Sequence, residues 1–189
     1  MVSELPVEPV AVVAWAFLFV FAATRLPANL GRPVDLFANL LLLMACGVLG
    51  LYSYRRASRS AAPAAPPTAA QPAAPPAAAP PATRTDTRLL QIGYAGLVGF
   101  FLLTLTQLSA AMFRFYDAFG LFGAMFMLFA ASTGIPRTAG YLLLALYFLF
   151  GAYQKTTVQG AEILQLIGRS MLLLVYGYWA VSNIYHGRW

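Results

Sequence analysis

Of 189 residues, 60% are hydrophobic and only 10% are charged, where a soluble domain carries about 25% charged residues. Water-facing surface needs charge, so the deficit excludes an ordinary soluble globule and leaves hydrocarbon as the solvent of most of the surface. The net charge of +6 comes from eleven arginines and one lysine against six acids. It lacks the basic–aromatic interleaving that binds nucleic acid, so no nucleic-acid partner is expected.

The first apolar run, Val7 to Thr24, contains Trp15, Phe17, Phe19 and Phe21. Glu4 and Glu8, with no Lys or Arg, precede it. That is the wrong flank for a signal peptide, so the run reads as a span. A short loop with Pro27, Asn29 and Gly31 leads to Pro33, which opens a second run, Val34 to Tyr54. Tyr52 and Tyr54 suit a membrane interface, and Arg55, Arg56 and Arg59 follow. Cys46, the single cysteine, lies inside this run, reads as a small buried apolar residue, and has no disulfide partner in the chain.

Ser60 to Thr83 is almost wholly Ala and Pro. Repeated prolines remove the amide donors that helix and sheet require, and no side chain there can anchor a core. The segment reads as a disordered or polyproline-II tether with a reach on the order of 70 Å at ~3.1 Å per residue. Its PxxP spacings also fit a docking strand for an aromatic groove.

Apolar character returns at Leu89 to Met112, Ala118 to Thr133, Ala139 to Tyr153 and Glu162 to Tyr185. The third and fourth of these six runs are joined through Arg114 and Asp117, and the fourth and fifth through Gly134-Ile135-Pro136-Arg137. The fourth and fifth runs are short, so a re-entrant pair competes with two spans. Arg137 at the turn favours two spans, because its charge is costly at mid-bilayer. The expected architecture is an all-α integral membrane protein of about six transmembrane helices. It comprises an N-terminal two-helix hairpin over 1–59, a linker over 60–87 and a four-helix bundle over 88–189. Arginine bias places the linker and both termini in the cytoplasm or matrix, in a bacterial or organellar inner membrane.

The chemistry-bearing residues are few. His186 is the only histidine; it could serve as a single axial ligand to a porphyrin or chlorin at the membrane edge, but bis-histidine ligation is impossible. Scattered acids with one Cys and one His supply no expected metal site, and no nucleophile–base pair is visible. Arg169, inside the sixth run, either snorkels to the interface or pairs with Glu162, seven residues earlier on the same face, with Gln165 four residues earlier between them; the functional alternative is that Arg169, Glu162, Gln165 and Gln107 contact a lipid headgroup or a neighbouring subunit. Gln107 is expected near the middle of the third span, beside Thr104 and Thr106, hydrogen-bonding across helices. Ala95 with Gly99, and Gly120 with Ala124, are small-residue pairs suited to close helix packing. Phe119, Phe122, Phe126 and Phe129 read as one aromatic side, and Trp179 and Tyr185 as lipid or partner contacts.

These features point to a non-catalytic accessory subunit of a larger membrane complex, of the respiratory or photosynthetic kind. It would pack against other subunits and lipids, with no intrinsic cofactor beyond bound lipid, quinone or pigment. The alternative is a small transporter or channel with a polar path near Gln107.

Overall fold

The computed structural model describes residues 7–60, 83–107, 115–153 and 162–187. The Ala/Pro segment between 61 and 82, with Arg114, Lys155 and Arg188, lies outside the described residues. The described chain is helical, with no strand: α1 Val7–Arg25, a 3-10 turn Pro27–Asn29, α2 Pro33–Ser60, α3 Arg84–Gln107, α4 Phe115–Thr133, α5 Thr138–Tyr153 and α6 Glu162–Tyr185. Five of these helices are long and apolar enough to cross a membrane, and α5, with 16 residues, is a shorter apolar helix.

The helix ends follow local chemistry. Pro33 begins α2, where a missing N–H costs nothing. Thr83 and Asp86 form a capping box: the Asp86 carboxylate accepts from the Thr83 N–H at 3.1 Å and from its hydroxyl at 2.8 Å, while Thr83 Oγ1 accepts from the Asp86 N–H at 3.4 Å. That box starts α3 at Arg84, earlier than the expected Leu89. Gln107 is the last described residue of α3, so its expected mid-span bond across helices falls outside the described residues. Helix α2 likewise runs on past Tyr54 through Arg55, Arg56 and Arg59 to Ser60. Gly134 stops α4 in the left-handed region at φ 74°, its N–H bonded to the Ala130 carbonyl at 2.9 Å.

The six helices form a closed ring. Each packs on its neighbours in chain order, and α6 returns to α1. All neighbours are antiparallel, as the cross-links at their ends require. At one end, called here the arginine end, Arg56 of α2 pairs with Glu8 of α1 at 3.1 Å, and Arg59 of α2 pairs with Asp86 of α3. At the opposite end Arg25 of α1 pairs with Glu162 of α6 at 3.3 Å. The segments before and after the Ala/Pro stretch therefore share one ring.

Close approach depends on glycine, and of the expected α3 pair Gly99 takes part while Ala95 does not. Ala95 is exposed. The α2–α3 contact instead runs along Gly93, Gly96 and Gly99. A Cβ at Gly96 would come within 2.9 Å of Met44 and 3.3 Å of the Leu41 carbonyl, and one at Gly93 within 2.6 Å of Leu49. Gly120 and Ala124 do face inward, Gly120 against Phe101 and Tyr147. The aromatic side of α4 also divides. Phe122 and Phe129 are exposed, whereas Phe119 stacks on Phe150 of α5 at 6.0 Å. Cys46 is buried, at 1% exposure.

Candidate functional site

The ring encloses two chambers, and Trp15 of α1 lines both. The first lies toward the arginine end, and every helix contributes to its wall. Arg56, Tyr52 and Ser53 come from α2, Tyr94 from α3, Met127 from α4, Tyr141 from α5, and Tyr176 and Trp179 from α6; Arg137 enters from the α4–α5 turn. Arg137 reaches this position because Gly134 and Pro136 end one helix and the next begins at Thr138, with the Arg137 carbonyl accepting the Tyr141 N–H at 3.0 Å.

The polar groups of this chamber are ordered by contacts between helices. The Tyr94 and Tyr176 hydroxyls share a hydrogen bond of 3.0 Å, although 82 residues separate them. One hydroxyl must donate and the other accept, so the pair keeps a single O–H for any further partner. Ser53 donates to the Leu49 carbonyl at 2.9 Å. The Trp179 ring packs on Tyr141 at 5.3 Å and Tyr176 at 5.6 Å, and Arg56 lies over it at 5.6 Å. Trp179 thus faces inward, where sequence reading expected lipid or partner contact.

The second chamber is the larger of the two; both are partly open and enclose little free space. Its walls are mostly apolar: Leu18, Phe21, Leu42, Leu97, Phe100, Phe101, Leu144 and Phe148 surround it together with Trp15 and Tyr147. Two polar side chains enter, Gln165 and Arg169, one turn apart on α6. Arg169 does not pair with Glu162, which bonds Arg25 instead. Its Nη1 donates to the Gly151 carbonyl at 3.3 Å, its Nη2 to the Tyr147 hydroxyl at 3.4 Å, and its guanidinium lies 5.6 Å from the Tyr147 ring centre. The expected Glu162–Arg169 pair does not form: two turns of α6 separate them along its axis, and each has its own partner, Arg25 of α1 for Glu162 and Gly151 and Tyr147 of α5 for Arg169. Gln165 Oε1 is buried and has no hydrogen-bond partner among the described residues.

The remaining expected residues lie apart. Tyr185 is 86% exposed at the end of α6, with its ring against that of His186. His186 Nδ1 donates to the Ser182 carbonyl at 2.7 Å, which leaves Nε2 for any ligation. The hydroxyls of Thr104 and Thr106 donate to the Phe100 and Leu103 carbonyls of their own helix, at 2.8 and 2.7 Å. Among the described residues they make no bond to a neighbouring helix. Among the described residues no three His, Cys, Asp or Glu side chains gather as metal ligands.

Sequence reading missed Arg56, Arg137, Tyr94 and Tyr176 as a group. One cue was available: Tyr52 and Arg56 are four apart in α2 and share a helix face. No protein-family model, curated protein or solved structure matches this chain.

Proposed function

We propose that this chain is a non-catalytic accessory subunit of a larger membrane complex, of the energy-transducing respiratory or photosynthetic kind. It acts by packing against other subunits and holding lipid, quinone or pigment. The observation that carries the reading is the use made of charge. Arg25–Glu162, Arg56–Glu8 and Arg59–Asp86 fasten helix to helix at the two ends of the ring. The flanks between carry large exposed apolar side chains, among them Phe37, Phe122, Phe129 and Leu174. Ionic groups so placed set helix order, while the flanks offer only apolar surface to lipid or to a neighbouring subunit. The ring lies in an inner membrane, with its arginine end toward the cytoplasm or matrix.

Purification of the full chain from its native membrane in mild detergent tests this. Stoichiometric co-purification of other membrane subunits is expected; a lone, stable monomer overturns the reading.

A transport reading has one observation in its favour, the pair of chambers inside the ring with Trp15 between them. The path would then follow Arg56, Tyr94 and Tyr176 toward Arg169. Solute flux into liposomes that rises with Trp15→Ala would favour it, and absence of flux in both proteins would exclude it.

A further inference from the structure

We infer that the apolar chamber between α1, α2, α3, α5 and α6 is a binding site for an apolar molecule ending in a hydroxyl group, an alcohol or phenol, held by Gln165 and Arg169. This goes beyond the subunit reading, because the site is complete within the one ring.

The argument starts from the two polar groups. A buried carbonyl without a hydrogen bond costs about 1–3 kcal/mol, so native structures keep few of them. Gln165 Oε1 is such an atom, and its side chain lines the larger chamber. Arg169 stands one turn further along α6, roughly 5–6 Å away between Cβ atoms for such a pair. A guanidinium has five N–H donors. Among the described residues, Nη1 and Nη2 of Arg169 each make one bond, to the neutral acceptors Gly151 O and Tyr147 Oη. The nearest acid on its own helix, Glu162, is engaged with Arg25. The chamber therefore presents an unpaired acceptor and a donor with capacity left, side by side.

That pairing selects the head group. A hydroxyl donates to Gln165 Oε1 and accepts from Arg169, so it satisfies both. A carboxylate or phosphate only accepts, so Gln165 would have to turn its amide over and offer Nε2 for such a group to bind beside Arg169. An ammonium would donate to Oε1 but meet the positive guanidinium. An ether or ester accepts from Arg169 alone. The rest of the wall selects the body. Leu18, Leu42, Leu97 and Leu144, with Phe100 and Phe148, form most of it, and the Tyr147 hydroxyl, already bonded to Arg169, and the Trp15 indole add the remaining polar atoms, so the rest of the ligand is mainly hydrocarbon.

The full chain carries three tryptophans. Replacing Trp179 and Trp189 by Phe leaves Trp15, in the chamber wall, as the sole emitter. The probe is 11-bromo-1-undecanol, whose bromine quenches indole on contact. Saturable quenching is expected in the purified chain. Gln165→Leu should weaken it about tenfold, the loss of one hydrogen bond made in an apolar site. Leu42→Phe, which narrows the chamber without touching either polar group, should weaken it as well. The methyl ether of the probe should bind the unaltered site as poorly as the alcohol binds Gln165→Leu. Native mass spectrometry of the chain with all tryptophans intact should show one bound alcohol, a check that does not depend on the Phe replacements.

Quenching that never saturates, or that is unchanged by Gln165→Leu, overturns the inference; so does tighter binding of 11-bromoundecanoate than of the alcohol. Competition in phosphatidylcholine nanodiscs identifies the source. Displacement of the probe by dioleoylglycerol points to a membrane glyceride and displacement by farnesol to a free chain alcohol. Displacement by neither counts against the site.

Discussion

Arg169 and Gly151 meet across the α5–α6 contact, with Arg169 Nη1 donating to the Gly151 carbonyl at 3.3 Å. The contact exists because residue 151 has no side chain: a Cβ there would lie 2.9 Å from the same Nη1. An arginine inside an apolar helix is costly unless its donors are matched. The glycine opens the approach to a backbone acceptor that any larger residue would cover.

Gly151→Ala should displace Arg169 Nη1 from the carbonyl and change stability by no more than about 1 kcal/mol, because the crowded atom ends a flexible side chain and alanine gains helix propensity. The effect should shrink when Arg169→Met is added, because the crowded atom has gone and the two changes are coupled. Thermal unfolding in detergent of both single variants and the double variant measures this. Equal, additive losses would show that Gly151 is packed against something other than Arg169.

The Tyr94–Tyr176 pair makes a second expectation. Both hydroxyls are buried and bond each other at 3.0 Å. Removing one leaves the other without its partner, so Tyr94→Phe and Tyr176→Phe should each cost about 1–2 kcal/mol. The double variant should cost less than the sum, since no orphaned hydroxyl remains. A double-mutant cycle read by unfolding midpoints checks it.

Residues 95 and 96 should respond in opposite ways to the same change. Gly96 faces α2, where a Cβ meets Met44, Ala45 and the Leu41 backbone, and Ala95 is exposed. Gly96→Val should cost about 1–3 kcal/mol or prevent folding; Ala95→Val should fall within about 0.5 kcal/mol of the parent. Comparing the two yields and midpoints tests which face of α3 packs on α2.

The ring should survive interruption of the Ala/Pro segment. Its two sides meet through the α2–α3 and α6–α1 contacts and through Arg59–Asp86 and Arg25–Glu162. Co-expressed fragments 1–72 and 73–189 should co-purify through a tag on either one. Adding Asp86→Ala should weaken the association, because that carboxylate serves both the capping box of α3 and the ion pair with Arg59. Failure of the fragments to associate would mean that covalent connection holds the ring together.

Hydropathy alone was enough to expect helices over the six apolar runs, since run length and charge content are properties of a local stretch of chain. Some ends were also written locally. Pro33 and Gly134 stand where the structure starts α2 and stops α4, and Thr83 with Asp86 spells a capping box that an apolar-run reading passed over. Only the tertiary structure decided which residues meet. Helices that are apolar nearly all round carry no stripe to mark an inner face. Hence Ala95 passed for a packing residue, and Phe122 was grouped with Phe119. Charges at helix ends have several acids within reach in sequence and only one in space. Glu162 stands seven residues from Arg169 and 137 from Arg25, yet it is Arg25 that it holds. Closing the ring brings α6 against α1, and that step places Gln165 and Arg169 beside Trp15 in one chamber.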